Sequence, residues 1–450
     1  MLYLSRITSL FDYGAIFLMV VTIIVFLVPI LILFPPVPVD HSDALRQTHS
    51  KLGRPQRESH LRSQYDARHK PQAGKTPKIE SLYIYPIKSC RGIELDRAKV
   101  LPTGLEHDRL YTFAQLKPKS TSAVTEPGAQ TDSSSAWEFL TLRQLPLLAN
   151  VKVDIWLPDA GKKSRLLGSL QGGFVAVRFP WQERGFLGLV QLLVAKLSRG
   201  WSAVPEKEFI LPLEFPSKQE IDARGYKFAN VKVWVDAPYA LDMSNELPAE
   251  LATYLGVKHS LGIFRSDPSA RRKVFRTAPG NEMSGHAAEI DFHDAFPVHL
   301  LNLTSIRALE SKIQKDRFID RIDVRRFRGN IIVSGLKEYD EDDWKSVKFK
   351  HPGRSETMSR FDVSCRTVRC KLPNVDPATG IRHIVEPDRA LRKYRDIDAG
   401  APKMGCLGMQ LLPTFPTSSN LEQMESVLEV GMEVDVLERG SHLYVKQSAR

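Results

Sequence analysis

The segment FDVSCRTVRCKLPNVDPATG, residues 361–380, combines a strand, a cysteine at the strand end and a turn. Its first ten residues are rich in β-formers and predict a strand that ends at Arg369 and Cys370. A thiol beside a cation ionises more readily, and the thiolate is the form that binds metals. Asp376 and Pro377 predict a turn after the cysteine. The segment therefore predicts β structure with a metal-binding thiol at a strand end.

Short runs of alternating apolar residues on both sides of this segment predict further strands, for example at 79–84, 151–155, 174–179 and 231–235. Helical stripes are fewer, and we expect them to face the core: GFLGLVQLLVAKL from Gly185, LPAELATYLG from Leu247 and LTSIRALESKI from Leu303. Strands in runs with scattered helices predict an α+β fold with barrel-like sheets.

Polar residues gather where several of these strands end, which a plain barrel does not require. They are Lys88 and Ser89 in YPIKSC, Arg109 in EHDRLYTF, Arg143 and Gln144 in TLRQ, and Arg328 and Asn330 in RFRGNIIVSG. Each alone has the simpler interpretation of a solvated loop residue.

Length and composition limit the class of protein. The chain has 450 residues, 42% hydrophobic and 26% charged, which predicts one or two globular domains with a sizeable core. The net charge of +11 follows no nucleic-acid-binding motif and favours an acidic partner, anionic lipid or an anionic cofactor. Four cysteines, with no CxxC pair and no Cys/His spacing of the zinc-site type, argue against a disulfide framework and against structural zinc, and they indicate a reducing compartment.

The N-terminal region predicts a membrane anchor. Gly14–Phe34 contains 21 residues without a charge, which favours a transmembrane helix over a cleaved signal peptide. Basic residues dominate 41–80, so the C-terminal bulk is expected in the cytosol. The polar stretch 35–76 predicts a disordered basic stalk.

Five motifs give the chain a family resemblance: YPIKSCRG, GLEHDRLYTF, TLRQLPLLA, FRGNIIVSG and RCKLPNVDPATG. They resemble the MOSC domain family with its N-terminal β-barrel domain, and within it the mitochondrial amidoxime-reducing components. The resemblance extends over Ile79–Glu438. It implies a MOSC N-terminal β-barrel region with a helical insertion at 77–290 and a MOSC β-barrel domain at 291–450.

The resemblance also implies a molybdenum cofactor, in which a pterin dithiolene and one protein cysteine hold the metal. That catalytic ligand corresponds to Cys370, and a soft thiolate suits such a metal. The family's cofactor-binding positions correspond to Lys88, Ser89, Arg109, Arg328, Asn330, Arg369 and Cys370. Asn302 and Ser305 lie close to further family contacts, although simple helix capping explains them equally well. A tyrosine common in the animal enzymes is replaced by Gln410.

By resemblance, the activity is reduction of N-hydroxylated small molecules, with electrons supplied by cytochrome b5 and its NADH-dependent reductase. The sequence fits an external donor, since it has no GxGxxG and no CxxCH motif. The expected location is the mitochondrial outer membrane or, alternatively, the endoplasmic reticulum. One alternative function is a molybdenum-cofactor carrier or sulfur-handling protein, although the pyridoxal-phosphate domain of cofactor sulfurases is missing. The third function considered is that of a plain membrane-tethered interaction module.

Overall fold

The computed structural model describes residues 13–33, 41–118, 135–162, 172–274, 288–353, 358–416 and 424–445. The helices are α1 Tyr13–Leu33, α2 His41–Leu45, α3 Phe186–Arg199, α4 Lys218–Arg224, α5 Ala249–Leu255, α6 Leu303–Glu310 and α7 Asp388–Tyr394. The strands in the first half are β1 His49–Leu52, β2 Lys78–Ile84, β3 Ile93–Leu95, β4 Arg97–Leu101, β5 Gly104–Leu105, β6 Tyr111–Lys117, β7 Ala136–Phe139, β8 Lys152–Pro158, β9 Phe174–Pro180 and β10 Glu206–Pro212. Those in the second half are β11 Lys227–Lys232, β12 Tyr239–Asp242, β13 Leu261–Ser266, β14 Arg272–Lys273, β15 Glu289–Ile290, β16 Val298–Asn302, β17 Ile331–Ser334, β18 Trp344–Lys350, β19 Met358–Val368, β20 Cys406–Thr414, β21 Ser426–Glu429 and β22 Glu433–Arg439.

The largest sheet has the order β17-β16-β20-β19-β18-β22-β2-β3 and closes on itself because β17 also pairs with β2. Ile331 in β17 pairs with Leu300 on one side and with Leu82 on the other. Side chains of β19 alternate between buried and more exposed, as expected for a strand with one face on a core. The early strands β2 and β3 are therefore part of a barrel that is otherwise built from residues 298–439.

A second, smaller barrel is closed by β11-β12-β13-β6-β7, and the sheet β1-β8-β9-β10 lies in the same half of the sequence. One hydrophobic core cluster includes residues of both barrels, such as Phe113 of β6 and Phe361 of β19. The two barrels therefore contribute side chains to one common hydrophobic core. The exact boundary between the two domains, predicted between residues 290 and 291, stays a prediction.

The predicted transmembrane anchor, Gly14–Phe34, overlaps helix α1, and Phe34 lies outside the described residues. Within the described ranges, no helix is both long enough and apolar enough to cross a membrane. This finding overturns the predictions of a single-pass anchor and of a location in the outer mitochondrial membrane or endoplasmic reticulum.

The predicted stalk at 35–76 is also wrong for the part that the structure describes, from residue 41 onward. Strand β1 pairs antiparallel with β8, with Leu52 opposite Ile155. His49 and Leu61 are buried, and His69 Nδ1 lies 3.4 Å from a carboxylate oxygen of Glu80. Backbone pairing and a few buried contacts order a segment that has too few apolar residues to show this in its composition.

The prediction that the apolar stripe of helix α3 faces a core is also wrong. Phe186, Leu189, Leu193 and Leu197 are each more than half exposed. The buried side of the helix includes the small residue Ala195. The helix therefore packs through small residues and presents its large apolar residues to the outside, the reverse of an ordinary amphipathic surface helix.

Candidate functional site

A cavity of about 580 Å³ lies among the loop after β2, the segment before β17 and the end of β19. All seven residues expected to bind the cofactor line it: Lys88, Ser89, Arg109, Arg328, Asn330, Arg369 and Cys370. The loops that carry them come from positions 88 to 370 of the chain and meet because β2 is part of the larger barrel.

Three of these residues have left-handed backbone conformations that non-glycine residues rarely adopt. The φ angles are 69° at Ser89, 56° at Arg109 and 54° at Arg328. Such conformations cost ~1–3 kcal/mol each and concentrate at functional sites. Arg328 caps the 3-10 turn Val324–Phe327, so its left-handed turn directs the chain from that turn toward β17.

Two arginines share the ring of Tyr85. The guanidinium carbons of Arg109 and Arg328 lie 4.3 and 4.1 Å from the ring centroid. Arg328 Nη1 donates to the Cys90 carbonyl at 2.8 Å, and its buried Nη2 has no partner among the residues described. Burial and the nearby Arg109 lower the pKa of Arg328 to about 10. This side of the cavity therefore carries two neighbouring guanidinium charges. It also offers one N–H donor, Arg328 Nη2, that has no partner among the described residues.

Arg369 and Cys370 also line the cavity. The Arg369 backbone N–H donates to the Gly405 carbonyl at 2.8 Å, and Nη2 donates to the Phe327 carbonyl at 2.8 Å. Burial lowers the pKa of Arg369 to about 10, and its Nε is buried without a partner in the described ranges. Cys370 directly follows this fixed arginine and is partly exposed.

The other three cysteines are buried. Burial raises the pKa of Cys90 to about 12 and that of Cys406 to about 11, so their thiolates are disfavoured. Cys365 lies in the middle of β19 and is only 4% exposed, although it reaches the cavity lining. Cys370 is thus the cysteine most accessible to a ligand.

Lys88 is held deep in the lining. Its Nζ donates to the Phe292 carbonyl at 2.8 Å and to Asp294 Oδ1 at 2.6 Å. Burial lowers the pKa of Lys88 to about 8, against the opposing effect of Asp294. Trp234 also donates to this carboxylate, at 3.0 Å, and carries the Arg143 guanidinium 4.1 Å above its ring.

Asn330 is largely engaged within the protein. Its Nδ2 donates to Asp108 Oδ2 at 2.9 Å and to the Tyr83 carbonyl at 3.1 Å, and its Oδ1 accepts from the His299 backbone N–H at 3.1 Å. Asn330 therefore also organises the floor of the cavity.

Several residues singled out in the sequence have structural roles. Asn302 and Ser305 do not line the cavity, since both donate to Glu341 Oε2 at 2.9 Å, and Asn302 Oδ1 caps α6 by accepting from Thr304. This supports the capping interpretation. Asp376 accepts from backbone N–H groups of residues 378 and 379, as the turn prediction requires.

Sequence reasoning missed other lining residues: Asp294, His293, His299, Trp234 and Tyr444. The histidines have no metal-type spacing, and Tyr444 lies far from every recognised motif. The one available signal is IDFHDAFPVH, where charged residues and histidines precede the strand β16. Gln410 does line the cavity.

Comparison with known proteins agrees with these features. Residues 76–174 match the MOSC N-terminal beta barrel domain, and residues 287–435 match the MOSC domain. Mitochondrial amidoxime reducing component 2 of Rattus norvegicus is 22% identical over 365 residues, which is 81% of this chain and 84% of that protein. Mitochondrial amidoxime-reducing component 1 of Danio rerio is 22% identical over 320 residues, 71% and 75% of the two chains. The human component 1 is 30% identical over 116 residues, 26% of this chain and 31% of that protein. The chain therefore belongs to the MOSC domain family, with a MOSC N-terminal domain ahead of its MOSC domain, and is similar to the mitochondrial amidoxime-reducing components.

Proposed function

We propose that this protein is a molybdenum-cofactor-dependent reductase of N-hydroxylated small molecules. The MOSC domain and the names of its relatives support a molybdenum-cofactor-binding role and an oxidoreductase activity. The observation that carries the proposal is the cavity itself, in which five arginines and a lysine line the same space as a partly exposed cysteine.

The lining fits an anionic pterin cofactor. Arg328 Nη2 and Arg369 Nε are buried donors that have no partner among the described residues. They point to a ligand rich in acceptors, because leaving such donors unsatisfied is costly. Guanidinium groups bind phosphate and planar acceptors through paired N–H donors. Lys88, Ser89 and Arg109 complete the set that would hold the cofactor, with Asn330 positioning the strand behind them.

The metal would arrive with most of its own ligands. No cluster of three or more His, Cys, Asp or Glu side chains suited to a metal ion occurs in the described part of the chain. A single thiolate, that of Cys370, would complete the coordination, and a soft sulfur donor suits this metal. When bound, the cofactor would supply the metal centre and the two electrons of the reduction.

The substrate class and the electron donor complete the proposal. A cavity of about 580 Å³ is within the usual range for small-molecule sites, so it suits small N-hydroxylated compounds such as amidoximes. We propose cytochrome b5 with its NADH-dependent reductase as the donor. The net charge of +11 would favour docking of an acidic haem protein.

The test uses the full chain expressed in a host that makes the molybdenum cofactor. We expect molybdenum to copurify with the protein and NADH-dependent benzamidoxime reduction to require cytochrome b5 and its reductase. Bound molybdenum without any turnover would favour a cofactor carrier instead. Protein without molybdenum would contradict both functions.

A further inference from the structure

His293 stands at the cavity with one ring nitrogen engaged and the other unused. It is 4% exposed, and its Nε2 lies 3.2 Å from Asp108 Oδ2. Its Nδ1 is buried and meets no hydrogen-bond partner within the described ranges. The residue lines the same cavity as Cys370.

Asp108 fixes which nitrogen of His293 carries hydrogen. Burial alone would raise the pKa of Asp108, but Arg109 and His293 hold it below its usual range. The carboxylate is therefore ionised and can only accept, and it also accepts from Asn330 Nδ2 at 2.9 Å and from the Tyr85 backbone N–H. Nε2 of His293 must then carry the proton, and Nδ1 is the ring nitrogen left without a partner among the described residues.

The proposed reaction needs protons as well as electrons. Conversion of R–NH–OH to R–NH2 and water breaks the N–O bond and takes up two electrons and two protons. The electrons come from the external haem protein, so the cavity must deliver protons to a departing oxygen. An imidazole that is oriented by a carboxylate is a common group for this task.

We propose that Asp108 and His293 form a proton-delivery pair, in which protonated His293 donates its Nδ1 proton to the leaving oxygen of an N-hydroxylated substrate. The oxygen departs as water, the second proton reaches the substrate nitrogen from solvent, and the neutral imidazole regains a proton from solvent. Asp108 is a positioning residue that keeps the ring in place and stabilises its cationic form. This inference rests on the proposed function.

Other groups in the lining suit the role less well. Arg328 and Arg369 are weak acids even with pKa values lowered to about 10. Lys88 already donates two of its three hydrogens, to Asp294 and to the Phe292 carbonyl. His299 also has an unpartnered Nε2 in the described ranges, but burial and the nearby Arg369 hold its pKa well below the usual value, so it stays neutral.

The first experiment compares the full-length wild type with His293→Gln. Glutamine keeps a polar amide near Asp108 but carries no transferable proton at neutral pH. We expect unchanged molybdenum content, a KM for benzamidoxime within about twofold, and a kcat lower by about 100-fold or more. His351→Gln is the matched control, because His351 pairs with Glu429 at 2.9 Å and does not line the cavity. A His293→Gln enzyme with full molybdenum and a kcat within twofold of wild type would overturn the proposal.

A second measurement does not depend on turnover and separates the two proposals. Nitrogen NMR of histidine-labelled full-length protein should show a proton on Nε2 of neutral His293, and the Nδ1 resonance should shift when benzamidoxime is added. If the wild type binds no molybdenum and reduces nothing, the proposed function has failed, and this spectrum still decides the role of His293. An Nε2 without a proton, or an Nδ1 indifferent to benzamidoxime, would contradict the pair.

Discussion

The guanidinium of Arg328 lies 4.1 Å from the centroid of the Tyr85 ring. Because Arg109 lies over the same ring, two cations are concentrated beside one neutral aromatic group. Burial, together with this neighbouring charge, lowers the pKa of Arg328 to about 10. Attraction to the ring opposes this repulsion by ~0.5–2 kcal/mol for each contact. An anionic ligand bound between the two guanidinium groups would reduce their mutual repulsion further.

The first prediction concerns this charge concentration. Arg328→Ala should lose at least about tenfold in retained molybdenum cofactor after gel filtration, because a charge-assisted hydrogen bond contributes ~1.5–3 kcal/mol. Arg360→Ala, an exposed arginine on β19, is the control and should retain the cofactor. Full cofactor content in Arg328→Ala would show that the cation is not part of the binding site.

The metal ligand is tested by separate serine substitutions of the four cysteines. Cys370→Ser should abolish both molybdenum retention and benzamidoxime reduction, since a hydroxyl is a harder and poorer donor for this metal. Cys90, Cys365 and Cys406 are buried, and their replacement should lower the melting temperature without abolishing turnover. Near-normal turnover in Cys370→Ser, or a loss confined to Cys365→Ser, would move the ligand elsewhere.

Glu341 gives a pH-dependent prediction. Its buried carboxyl accepts from Asn302 and Ser305, and burial raises its pKa to about 7. A carboxyl whose folded pKa exceeds its unfolded value of ~4.3 favours folding below pH ~4, and this contribution is lost as pH rises toward 7. Glu341→Gln should therefore raise the free energy of unfolding at pH 8, by up to about 3 kcal/mol, relative to its effect at pH 4.5. Denaturant titrations at the two pH values measure this difference, and an equal effect at both would refute it.

The N-terminal segment gives the fourth prediction. A chain that starts at residue 41 retains the β1–β8 pairing, whereas a chain that starts at residue 77 loses it along with buried Leu61. Removal of one buried leucine alone costs ~2–5 kcal/mol, so the shorter chain should melt several degrees lower. Equal melting temperatures would mean that residues 41–76 contribute nothing to stability.

The sequence motifs indicated residues of the cavity because the polar residues at the strand ends in these motifs line it. Lys88, Arg328 and Cys370 could be recognised without knowing how the strands pair. His293 could not, because its significance depends on Asp108, which is 185 positions earlier and reaches it only after the barrel has closed.

The errors have a related cause. Strand β1 is polar, and it is ordered by backbone hydrogen bonds to β8, which composition does not reveal. In α3 the periodicity correctly predicted a helix with an apolar stripe, but periodicity does not say which side meets the protein. Ala195 on the buried side shows that small residues can make that contact instead.

The position of β2 in the larger barrel also determines when that barrel can close during synthesis of the chain. Its partner β17 emerges from the ribosome about 250 residues later, which at ~5–20 residues per second is a delay of roughly 10–50 s. Ile79, Leu82 and Ile84, all fully buried at the end, lack that partner during this interval. The loop that carries Lys88 and Ser89 cannot take its place in the cavity before then. The proposed cofactor could therefore be loaded only into the finished polypeptide, and neither half of the chain expressed alone would form the complete cavity.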